Sequence, residues 1–155
     1  MSNYDWREER DRLRRMTQAG LSDVAAAQAE CLTALDRCYT DHTYLRTALT
    51  GLEETVRESV AAAEKLHAML VVEDRAAWLQ RKKDEACDAY VNAGFASGEA
   101  MRAPMSPTYA ADAQNAMQAC VAAHTRMEQA VHEYVKHMTD NPAYAHWLRS
   151  KVVVK

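Results

Sequence analysis

The chain has 155 residues, 26% of them charged, with a net charge of −3 when its histidines are neutral. That length suits one domain, and that charge balance excludes a strongly basic nucleic-acid binder. One phenylalanine and no isoleucine among abundant alanines leave little bulky apolar material, which predicts thin, closely spaced helices that lean on partners.

The first fifteen residues alternate Arg with Asp and Glu, so neither a secretory leader nor a mitochondrial presequence is expected. Residues 3–18 read as a short polar helix carrying Tyr4, Trp6, Leu13 and Met16, and Gly20 is expected to end it. Ser22 or Asp23 suits the cap of the next helix, because a side-chain oxygen there accepts from the exposed amides of a first turn.

The strongest pattern follows. Val24, Gln28, Cys31, Leu35, Cys38, His42, Leu45, Leu49, Leu52, Val56, Ser59, Ala63, Leu66 and Leu70 lie alternately four and three residues apart. Such a heptad seam marks a helix that buries one narrow stripe against other helices. The spacing predicts one long helix over 22–72, continuous through Gly51 although Thr50–Glu53 matches a capping box. Residues 22–80 are acidic, with ten acids against five bases.

The apolar phase breaks after Leu70. The next set is Val72, Ala76, Leu79, Ala86, Tyr90 and Ala93. Segment 74–93 reads as a separate helix folded back on the long one, rather than as its kinked continuation. Residues 94–106, with Gly94, Gly98 and Pro104, read as a loop. Pro107 suits a first helical turn with Ser106 as its cap, and 107–139 carries a second seam: Ala113, Met117, Cys120, His124, Met127, Val131, Tyr134, Met138. A short helix over 142–150 bears Tyr144, Trp147 and Leu148, followed by a β-prone tail, Val152–Val154. Placed end to end, 74–93 and 107–139 would cover the long helix along its whole length.

Chemistry-bearing patterns are few. Cys38/His42 and Cys120/His124 each place a thiol and an imidazole on one helical face. In the end-to-end packing the four would converge as a Cys2His2 set suited to tetrahedral zinc, against the ordinary role of polar seam residues in setting register. Glu64-Lys65-Leu66-His67 contains a Glu-x-x-His, but a di-iron bundle needs two such motifs and further glutamates. Glu128/His132 and Glu133/His137 have other spacings, so ion pairs on a helix surface are expected. His42 and His124 are candidate pH-sensitive groups if buried. Arg7, Arg10, Arg12, Arg14 and Arg15 form the densest basic cluster, yet Glu8, Glu9 and Asp11 interleave with it. No phosphate-binding loop, nucleophile elbow or aromatic-interleaved basic patch is found.

These features predict a single all-α domain over 1–155, an elongated helical bundle or antiparallel coiled-coil hairpin with one long helix. The expected function is non-enzymatic. It is that of a cytoplasmic structural or adaptor subunit working by helix-to-helix contact, with cytoskeletal assemblies and homo-oligomers among the settings. No cofactor, nucleic acid or membrane is expected as a partner. The expected contact residues are Leu35, Leu45, Leu49, Leu52, Val56, Leu66, Leu70, Met117, Met127, Val131 and Tyr134. The alternatives are a metal-binding bundle using the Cys2His2 set, and a regulator that grips an acidic surface through its N-terminal arginine helix.

Overall fold

The structure is a computed structural model that describes residues 5–37, 42–102 and 108–152. Among these the fold is all-α, with four helices and no strand. They are α1 (Trp6–Arg37), α2 (His42–Arg102), α3 (Tyr109–Asp140) and α4 (Pro142–Val152). No helix among the described residues is long and apolar enough to cross a membrane.

Local chemistry explains where the helices start. Asp5 caps α1: its Oδ1 accepts from the amide of Arg7 at 2.9 Å and from that of Glu8 at 3.3 Å. Glu8 and Glu9 then place negative charge in the first turn, where the helix dipole favours it. Thr108 precedes α3 without a side-chain cap bond. At the far end of α3, the Asn141 amide donates to the carbonyl of His137 at 3.1 Å, and its Nδ2 donates to the same oxygen at 2.9 Å.

Several expected boundaries change. Gly20 does not end a helix, since α1 runs through it to Arg37. The single helix expected over 22–72 is two elements, because α1 ends at Arg37 and α2 begins at His42. Segment 74–93 does not fold back: α2 is continuous through Glu73 and Asp74, where neither Gly nor Pro interrupts good helix formers. The expected loop over 94–106 is helical as far as Arg102. Gly94 and Gly98 each weaken a helix by about 1 kcal/mol, but without positive φ they do not turn the chain. Continuity through Gly51 is as the periodicity indicates. Tyr4, Cys38, Pro104, Ser106, Pro107, Val153 and Val154 lie outside the described residues.

The chain divides into two compact units. The first holds the described residues up to Val71 and from Arg149 onward. In it, Gly20 lies against Ser59, and Cys31 and Ala34 cluster with Ala48, joined by Leu45 and Leu52. Positions rise along α1 as their partners fall along α2, so the two helices run antiparallel. One row of buried and half-buried residues on α1 is Trp6, Arg10, Leu13, Thr17, Gly20, Val24, Ala27, Cys31 and Ala34. Their spacing alternates between four and three. On α2 the matching row is Leu45, Ala48, Leu52, Thr55, Ser59, Ala62, Leu66 and Met69.

The second unit spans Val72–Leu148. Here α2 pairs antiparallel with α3, not with the segment expected from the sequence. Lys82 Nζ lies 2.8 Å from Glu133 Oε2, the Tyr90 and His124 rings meet edge to face at 5.2 Å, and Tyr109 Oη donates to the carbonyl of Met101 at 3.0 Å. Nε2 of His137 donates to the carbonyl of Val72 at 3.2 Å. The α2 seam resumes at Val72, Ala76, Leu79, Lys83, Ala86, Tyr90, Ala93, Ser97 and Ala100, three residues after Met69 where four were due. The phase break read after Leu70 is therefore a slip of register within an unbroken helix.

Small side chains dominate both seams. Ala34, Ala48 and Ala62 in the first unit, and Ala76 and Ala130 in the second, are all buried. A methyl group added to Gly20 would meet Ser59 Oγ and lie 2.9 Å from its Cβ and 3.5 Å from its Cα. Short residues let two helix backbones approach closely, at the cost of little apolar area per residue.

Candidate functional site

Each pair of helices has two long sides, which follow from the seam. With seam positions lettered a and d, the rows beside the seam are e and g. In antiparallel helices the two g rows share one side and the two e rows the other. Direct observations fix the g side. In the first unit Met16 and Asp23 of α1 line one shallow groove with Glu58 of α2. In the second unit the Lys82–Glu133 ion pair joins g to g.

The g sides are charged. In the first unit Glu9 is held below the usual carboxylate range by two 2.7 Å hydrogen bonds from Arg12. Partial burial opposes this, while the charges of Arg12 and Lys65 assist it. In the second unit Glu133 is lowered chiefly by its hydrogen bond from Lys82, against a desolvation effect, with the Lys82, Arg75 and His132 charges adding to the shift. Beside this pair, Trp78 is 43% exposed, with the Arg75 guanidinium 4.5 Å and the Lys82 ammonium 5.3 Å from its ring centre.

The e sides are apolar. In the first unit Leu21, Leu35, Leu49 and Val56 occupy e positions and are exposed. Leu32 and Val60, at the adjoining b positions, are exposed as well. The second unit repeats this with Met101, Met117 and Val131 at e and Val91, Val121 and Val135 at b, all exposed. Most large apolar side chains that face solvent therefore share one side of their unit. Scattered exposed apolar residues are ordinary, but contiguous apolar rows mark interaction surfaces.

The sequence-derived contact residues divide between these rows. Leu45, Leu52 and Leu66, with Met127 and Tyr134, stand at a positions and are half-buried in the seams. Leu35, Leu49, Val56, Met117 and Val131 stand at e and are exposed, and Leu70, also at e, is half-buried. The periodic reading thus interleaved an a row with an e row. Bulk drew it to the leucines, whereas close packing selected the smaller d residues Ala48, Thr55 and Ala62, and Ala116, Ala123 and Ala130 on α3. The signal for the true d row was alanine recurring every seventh residue at 116, 123 and 130.

Of the four candidate metal ligands, the structure describes three. Cys38 lies outside the described residues. His42 is exposed at the start of α2 in the first unit, while Cys120 and His124 are half-buried in the second. His124 packs edge-on against Tyr90, with its Nδ1 3.7 Å from Glu128. The stretch 120–124 therefore lies against α2 near Tyr90. Among the described residues no group of three or more His, Cys, Asp or Glu side chains is placed to hold a metal ion. Glu64 and His67 are both exposed on the outer surface of α2. In the arginine cluster, Arg12 pairs with Glu9 at 2.7 Å, and Arg7 and Arg10 approach Asp11 at 3.7 and 3.6 Å.

Compared with known protein families, curated proteins and solved structures, the chain matches none.

Proposed function

We propose that this protein is a non-enzymatic structural or adaptor subunit. It works by helix-to-helix contact within a larger protein assembly in the cytoplasm, of which a cytoskeletal assembly is one example. One observation carries the reading: Leu21, Leu35, Leu49 and Val56 form exposed apolar rows along a single side of the first helix pair. Covering what these side chains still expose adds part of the about 1.5–3 kcal/mol that full burial of each contributes, which favours a partner helix laid along these rows. The rest of the chain supports the same role. The second unit carries exposed apolar rows of the same kind, with Met101, Met117 and Val131 at e positions.

Affinity purification of the tagged chain at native abundance tests this reading. Partner proteins should be retained by the wild type and by Glu58→Lys, which alters the charged side. They should be lost from the Leu49→Asp/Val56→Asp variant. Equal recovery by the wild type and the double variant would overturn the proposal.

A further inference from the structure

We propose that the occupant of the apolar side of the α1–α2 pair is a second copy of this chain, an inference that rests on the reading of that side as an interface. Three observations converge on it. The first is width. The exposed residues are not confined to the groove between the helices: Leu32 and Val60 stand on the outer flanks, 59% and 50% exposed. A lone helix seated between the e rows leaves both flanks wet. A partner two helices wide covers them, and this chain supplies such a partner.

The second is charge. Across 18–35 of α1 and 46–63 of α2, the e and b positions carry one base, Arg46, and one acid, Glu53. Such a surface meets its own copy without like-charge opposition. Across the same stretches the other side carries Asp23, Glu30, Glu54 and Glu58 and no base, and two copies would repel each other there. Of the two sides of this pair, the apolar one is the side that admits a second copy.

The third is area. Leu21, Leu32, Leu35, Leu49, Val56 and Val60 together offer on the order of 500 Å² of apolar surface, the size of patch that marks an interaction site on a monomer. With the neighbouring Gln28, Ala63 and Leu70 the contact approaches the roughly 800 Å² per partner of a stable interface.

Sedimentation equilibrium of the full chain across the micromolar range tests the proposal. The expected mass is twice the 17.4 kDa of one chain. Leu49→Asp combined with Val56→Asp should weaken association by more than about a hundredfold, because each copy loses two apolar contacts. Glu58→Lys, on the charged side, should leave the dimer intact. Far-UV circular dichroism checks that the helices persist. If the aspartate pair lowers helix content, Leu32→Ser with Val60→Ser replaces it and should weaken the dimer without altering the seam. A wild-type mass of one chain at every concentration, or a dimer indifferent to both double variants, overturns the inference. A single chain that still captures other proteins through Leu49 and Val56 ends the dimer and spares the adaptor reading. A single chain that captures nothing ends both.

Discussion

At the scale of single residues, the four glycines are not equivalent. Gly20 sits on the seam against Ser59, whereas a Cβ added at Gly51, Gly94 or Gly98 would meet nothing within 4 Å. Alanine is favoured over glycine in a helix interior by about 1 kcal/mol. Gly51→Ala and Gly94→Ala should therefore raise the melting temperature. Gly20→Ala should lower it, because rotating the Ser59 hydroxyl does not clear its Cβ and the two helices must part, an overpacking cost of about 1–3 kcal/mol that exceeds the propensity gain. Thermal melts followed by circular dichroism read all three. Adding Ser59→Gly to Gly20→Ala should restore part of the loss, by moving the gap to the other helix. A Gly20→Ala variant that melts above the wild type would show that the helices are not in contact there. As a sequence feature, Gly20 looked like a stop signal. Its actual role depends on Ser59, thirty-nine residues away, and no local rule reports that.

Among the elements, helix type was legible and helix ends were not. Heptad spacing found the helical stretches around Leu45–Leu66 and Met127–Tyr134 because burial of one stripe is written into every turn. It also located the phase slip after Leu70, since Val72, Ala76 and Leu79 are seam residues in the structure. Chain direction was not legible. Whether 74–93 continues or folds back depends on which stretch it pairs with, and Lys82–Glu133 and Tyr90–His124 show that its partner is α3. The exposed e rows were visible as apolar residues, but their exposure follows from the tighter fit of alanine at d. The Lys82–Glu133 tie gives an element-level prediction. The folded-state pKa of Glu133 lies below its ordinary value. Its contribution to stability is thus present above about pH 4.5 and fades as pH falls through the lower folded value. Glu133→Gln should lower the melting temperature slightly at pH 6 and have no effect at pH 2. An equal effect at both would show that the ion pair does not stabilise the α2–α3 contact. Both side chains are more than a third exposed, so salt should shrink the pH 6 difference.

For the whole molecule, each unit is built on one pair of long helices, charged along one side and apolar along the other. Such a pair buries one narrow seam, which is thin support for a stable fold, and covering its apolar side adds what the seam lacks. Stability and assembly should therefore rise together with concentration. The placement of the tryptophans makes the two units optically distinct. Trp6 is buried in the first unit, while Trp78 stands in the open beside Arg75 and Lys82 in the second. Cations at that ring concentrate anions around it. In variants that keep one indole and carry Phe at the other two sites, iodide should quench the fluorescence of Trp78 strongly and that of Trp6 weakly.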